Sequence, residues 1–232
     1  MLHKKIKEDL KIVVVGHSDT GKTSFCRLWV KNEFTDKYKA TVMTDFNYKI
    51  YKYNNEYYKV QIWDIAGQDR SIGTTKILVK DAHACLIFSD ITNRKTLDDT
   101  LKWKNAVDEK AKFKDDSPLP CVLIQNKIDL VSNDVINDDA FFNSFSNKNK
   151  FLKCFRTSVK KNIGVNDVMD YIIGHVVEKL NIINVKVDLP KISDTHPSIF
   201  FRLSNMSQKE KEELIKNNTN CCLGEENIKK NI

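Results

Sequence analysis

Gly16-His17-Ser18-Asp19-Thr20-Gly21-Lys22-Thr23 follows directly on the apolar run Leu10-Lys11-Ile12-Val13-Val14-Val15. The eight residues match G-x-x-x-x-G-K-[ST], a loop that cradles phosphate when it links a strand to a helix. The flanks supply that context. Residues 10–15 read as a buried strand, and a helix opens at Lys22-Thr23-Ser24-Phe25. Backbone N–H groups from Ser18 to Ser24 would then converge on one anion, helped by the helix N-terminus. Gly21 permits close backbone approach, Lys22 would reach the β- and γ-phosphates, and the Thr23 hydroxyl would ligate Mg²⁺.

The chain has 232 residues, enough for one domain and a tail, and no apolar run approaches a membrane span. The start Met1-Leu2-His3-Lys4-Lys5 carries no apolar leader core, and residue 2 is not Gly, so neither secretion nor N-myristoylation is expected. Cysteines 26, 85, 121, 154, 221 and 222 show no metal-ligand spacing and read as free thiols in a reducing, cytoplasmic setting. The net charge of +7 comes from Lys and Asp/Glu interspersed along the chain. That is a solvated surface, and no nucleic-acid partner is expected.

Apolar, β-branched runs at 10–15, 46–53, 57–63, 84–89, 121–125 and 153–157 alternate with helical patterns at 22–31, 94–113, 137–148 and 164–180. This order predicts an α/β phosphate-loop fold: a six-stranded, mostly parallel sheet with helices on both faces. Runs 46–53 and 57–63 are too close for a crossover and read as an antiparallel hairpin at one edge. The expected organisation is an extension over 1–9, a domain over 10–181 and a tail over 182–232. The tail has one short helical stretch at 207–216 and an apolar patch at Ile199-Phe200-Phe201.

In such sheets ligands bind beyond the carboxyl ends of the strands, and the remaining chemistry lies there. Run 57–63 leads into Asp64-Ile65-Ala66-Gly67-Gln68: a carboxylate for Mg²⁺, a backbone N–H for a terminal phosphate, and an amide able to orient water. Run 121–125 leads into Asn126-Lys127-Ile128-Asp129. The Asp129 carboxylate can accept from N1–H and the 2-amino group of guanine, a donor pair that adenine lacks. Lys127 can lie over the purine, and Asn126 can brace the phosphate loop. Run 153–157 delivers Ser158-Val159-Lys160, where a backbone N–H could meet guanine O6.

With these segments in order, residues 10–181 resemble the Ras-superfamily small GTPases, and within them the Rab family. Tyr38-Lys39-Ala40-Thr41 with Asp45-Phe46 resembles a Rab switch I, and Trp63 to Arg70 resembles a switch II. Trp63 to Gln68, Leu101-Lys102-Trp103-Lys104 and Ser117-Pro118-Leu119-Pro120 are similar to the Rab subgroup serving lysosome-related organelles. The resemblance implies a monomeric GTP/GDP switch in vesicle trafficking at the cytosolic face of an endomembrane. It also implies slow Mg²⁺-dependent hydrolysis, a nucleotide exchange factor, a GTPase-activating protein and effectors. Thr41 would be the switch I threonine, on Mg²⁺ and the γ-phosphate. Phe34 would pack edge-on against guanine, unless it is a helix-end core residue. Phe46 and Trp63 match two of three aromatics offered to effectors, unless they only pack the hairpin.

Three departures qualify the resemblance. Asp19 stands where Gly is usual, a carboxylate beside polyphosphate with no compensating cation, so weaker binding and faster exchange are expected. Ser71, Leu78-Val79 and Met43 replace switch residues, removing the third effector aromatic and leaving a hydrolysis-poor nucleotide-binding scaffold as the alternative. Cys221-Cys222 resembles a double prenylation site but precedes Leu223 to Ile232. The tail is therefore trimmed, palmitoylated, or without a stable lipid anchor. Mass spectrometry of the native C-terminus separates these outcomes through a prenyl mass on a shortened chain, a palmitoyl mass, or an unmodified intact terminus.

Overall fold

The computed structural model describes residues 5–35, 41, 44–67, 77–132 and 139–188. Expectations for 38–40, Met43, Gln68 to Arg70, Ser71, Ile199-Phe200-Phe201, 207–216 and Cys221-Cys222 fall outside them. The chain divides into two units, Met1–Val185 and Lys186–Ile232, and the nucleotide-site residues discussed below belong to the first.

Six strands form one sheet: β1 (Ile6–Gly16), β2 (Thr44–Tyr53), β3 (Glu56–Ile65), β4 (Ala84–Asp90), β5 (Cys121–Asn126) and β6 (Lys153–Arg156). Their order is β2-β3-β1-β4-β5-β6, and all neighbours are parallel except β2 and β3. The β2–β3 hairpin closes through Asn54 and Asn55, both at positive φ (47° and 65°), the mirror-image turn whose twist matches the strands. Every residue of β4 and β5 is buried, so the sheet centre is covered on both faces.

Among the described residues the long helices are α1 (Lys22–Lys31), α2 (Arg94–Lys110), α3 (Asp139–Lys148) and α4 (Val165–Asp188). Asn93 caps α2 by accepting from the Lys95 amide at 3.2 Å. This helix stops short of residue 113 because Ala111 turns extended and Phe113 is buried in the following loop. Conversely, α4 outruns its pattern at 180. The β-branched and Asn-containing stretch Asn181-Ile182-Ile183-Asn184 is a weak helix former, but Ile183 packs on the core and carries the helix onward.

Strand register brings the strand ends to one edge. Val14 lies opposite Asp64, Gly16 opposite Phe88, and Asp90 opposite Asn126. A Cβ on Gly16, at φ 137°, would stand 2.4 Å from the Phe88 carbonyl oxygen. That neighbour is backbone in the sheet centre and cannot yield. Gly16→Ala is expected to cost more than about 2 kcal/mol and lower the melting temperature by roughly 4–8 °C, measurable by thermal circular dichroism.

Candidate functional site

The loop between β1 and α1 is held from inside. Thr20 is fully buried, and its hydroxyl donates to the His17 carbonyl at 2.9 Å. Asn126, at the end of β5, donates from Nδ2 to the Thr20 carbonyl at 3.0 Å. Its Oδ1 accepts from the Thr157 hydroxyl (3.0 Å) and the Val159 amide (3.2 Å), so one carboxamide ties together the loops after β1, β5 and β6. A Cβ on Gly21 would lie 2.3 Å from Asn126 Nδ2, which explains the glycine there.

Lys22 projects back along the loop and donates to the His17 carbonyl at 2.8 Å. Burial lowers its pKa to about 8, against the opposing pull of Asp64, Cys26 and Asp19. The end of β3 closes over the loop, with Ser18 Oγ donating to the Gly67 carbonyl at 2.9 Å. A Cβ on Gly67 would meet Lys22 Nζ and the Ser18 nitrogen, each at 2.5 Å, so glycine is required where β3 meets the loop. Ser24 occupies the first turn of α1 and is half-buried.

Three oxygen-bearing side chains from separate segments meet beside Lys22. The Thr23 hydroxyl donates to Asp64 Oδ2 at 2.5 Å and lies 2.7 Å from the Thr41 hydroxyl oxygen. Asp64 is 1% exposed, and its Oδ1 is buried without a hydrogen-bond partner among the described residues. Two hydroxyls and a carboxylate with an unmatched oxygen form a hard-oxygen set that fits a small divalent cation such as Mg²⁺. Burial pushes Asp64 up to about 6, although Thr23 and Lys22 favour its charged form.

At the base-reading end, Asp129 Oδ1 accepts from the Ser158 hydroxyl at 2.5 Å, which orients the carboxylate. The amides of Ser158 and Val159 are engaged within the protein, with Ile163 O (3.1 Å) and Asn126 Oδ1 (3.2 Å) respectively. Both amides thus have partners within the protein, and Lys160 follows them in an exposed turn. Phe34 is 38% exposed, which excludes a helix-end core role. Phe46 and Trp63 face each other across the hairpin, edge to face at 5.0 Å, with Phe46 still 45% exposed. They pack the hairpin and also present a surface. Val79 is fully buried and belongs to the core.

Asp19 does have a counter-ion. Lys127 Nζ lies 3.4 Å from Asp19 Oδ2 and 2.8 Å from Asp90 Oδ2. Burial works against the Lys127 charge, but Asp90 and Asp19 outweigh it and raise the pKa. The premise of an uncompensated carboxylate is therefore overturned, because sequence proximity cannot show a cation from a different strand. Asp90 is itself a site residue that strand patterns pass over. Its one signal is an acidic residue at the C-terminal end of a buried strand.

The profile of the Ras family matches residues 11–178. The human Ras-related protein Rab-7L1 is 37% identical over 164 residues, 70% of this chain and 80% of that protein. The Dictyostelium discoideum Ras-related protein Rab-32A is 34% identical over 170 residues (72% and 78%). The human Ras-related protein Rab-32 is 30% identical over 200 residues (85% and 88%).

Asp64 yields a pH prediction. Its pKa rises from an ordinary 3.8 to about 6 on folding, so between these values the native chain binds more protons than the unfolded one. Its contribution to stability is therefore full at low pH and lost as pH rises through about 6. In protein freed of nucleotide and divalent ions, Asp64→Asn should be roughly 1–3 kcal/mol more stable than wild type near pH 7.5. That advantage should shrink near pH 4.5. Urea unfolding at both pH values checks this, and an equal difference at both would refute burial as the cause.

Proposed function

The chain belongs to the Ras family of small GTPases, in its Rab branch, and from that premise we propose how its own residues operate the switch. The protein is a guanine-nucleotide-binding GTP hydrolase that acts as a switch in membrane trafficking. The observation that carries the residue assignment is the convergence of Thr23, Thr41 and Asp64 beside buried Lys22 and Gly67.

On this reading the N–H groups from Ser18 to Ser24 enclose the β-phosphate, and Lys22 bridges toward the γ-phosphate. Thr23, Thr41 and Asp64 would hold Mg²⁺. When bound, the ion supplies charge compensation at the phosphate oxygens. Thr41 and Gly67 also contact the γ-phosphate through backbone N–H groups, so their segments respond to whether it is present. Gln68 orients the attacking water. Asp129, fixed by Ser158, accepts from the guanine edge, while Lys127 covers the ring and Phe34 meets it edge-on. Lys160 lines the same end of the site.

Phe46, exposed, and the partly buried Trp63 behind it form part of an effector surface. Rab GTPases work with exchange factors, activating proteins and effectors. An activating protein would here supply an arginine finger and so speed slow unaided turnover. No described helix is long and apolar enough to cross a membrane. Attachment at the cytosolic face of an endomembrane would run through a lipid, with Cys221 and Cys222 as candidate acceptors. Similarity to proteins named Rab-32 supports service to lysosome-related organelles. The hydrolysis-poor scaffold reading is not favoured by this family membership.

Denatured preparations of the purified protein should release GDP or GTP on chromatography. Single-turnover assays should show slow GTP cleavage, at least about ten-fold slower in Gln68→Leu. Cleavage in the variant as fast as in wild type would remove Gln68 from the mechanism, and no cleavage in either would restore the scaffold.

A further inference from the structure

Three strand ends are joined at one point by charge. Asp90 is buried at the end of β4, where its Oδ1 accepts from the Thr92 amide (2.9 Å) and hydroxyl (2.7 Å). Its Oδ2 holds Lys127 Nζ at 2.8 Å. The ammonium is thus fixed by a strand that contributes nothing to the nucleotide contacts proposed above. Asp19 reaches this fixed cation from the phosphate loop at 3.4 Å, with its own side chain 72% exposed. Its backbone is left-handed, φ 61°, a conformation that Asp and Asn tolerate.

We propose that Asp19 is a positioning residue for nucleotide retention: paired with the Lys127 that Asp90 anchors, it staples the phosphate loop to the base-reading segment after β5 and slows nucleotide release. This rests on the guanine-nucleotide reading above. The opposing effect is repulsion between Asp19 and the polyphosphate. Contact range favours the pair, since the carboxylate meets an ammonium at 3.4 Å. The polyphosphate charge would be offset by Lys22 and by a cation held on Thr23 and Asp64. What remains must act on an exposed carboxylate through solvent, where attenuation is strong.

The two effects carry opposite salt signatures. Screening weakens the staple and speeds release, whereas screening relieves repulsion and slows it. Asp19→Asn removes the charge while keeping a side chain suited to the same φ. Release of fluorescent GDP should be timed for both proteins from low salt to about 0.5 M, where the screening length is a few ångström. The variant should release about two- to five-fold faster at low salt, as expected for an exposed ion pair. The difference should vanish at high salt because wild-type release accelerates. Slower release from Asp19→Asn at low salt, or equal rates throughout, overturns the staple and leaves nucleotide binding intact. Failure of both proteins to retain labelled GDP overturns the nucleotide reading and the staple with it.

Discussion

The buried carboxamide of Asn126 is the contact on which the site depends. It donates to the phosphate loop and accepts from Thr157 and Val159, so three loops share one group with no polar atom left unmatched. A buried amide missing one of these partners would carry a full desolvation penalty. The loop geometry is therefore cooperative: Thr20 closes it from within, Gly21 leaves room for the amide, and β5 supplies the anchor. The parallel sheet makes this affordable, since its register delivers Gly16, Asp90 and Asn126 to the same edge.

Buried charge is what that scaffold then has to support. Lys22 and Asp64 lie near each other out of water, Lys22 lowered to about 8 and Asp64 raised to about 6. Both shifts have desolvation as their first cause, so burial makes the charged form of each group costlier than it is in water. A site of this kind favours ligands that supply the missing charge: an anion for Lys22 and the loop amides, a cation for Asp64 and the two threonine hydroxyls. Thr41 matters because it comes from a different segment than Thr23 and Asp64. On the switch reading proposed above, its hydroxyl would tie that segment to the cation set, a physical basis for a switch.

Away from the phosphates, the hairpin converts sheet position into surface. Its outer strand lies at the sheet edge, and Phe46, Tyr48 and Ile50 alternate outward along it, all exposed. Trp63 supports Phe46 from β3, and Lys11 lies over the Trp63 ring at 5.0 Å. The opposite face of β2 is bound to helices, through Tyr51 against Trp29 and Tyr53 donating to Glu178 at 3.3 Å. One face is thus secured and the other offered.

Local chemistry made most of this legible. The strands, the hairpin, the phosphate loop, Asp64, Gly67, Asn126 and Asp129 are visible in one dimension because apolar periodicity and turn chemistry act over a few residues. What one dimension could not decide was any contact set by register between strands. The Lys127 counter-ion of Asp19, the role of Asp90, and the internal partners of the Ser158 and Val159 amides all involve residues at least 31 apart or hidden within a loop. The extra turns of α4 belong to the same class, since packing of Ile183 overrides weak propensity. Sequence alone determined which groups are present and at which strand ends; tertiary structure decided which charges neutralise one another, because electrostatic energy depends on distance in space and on burial.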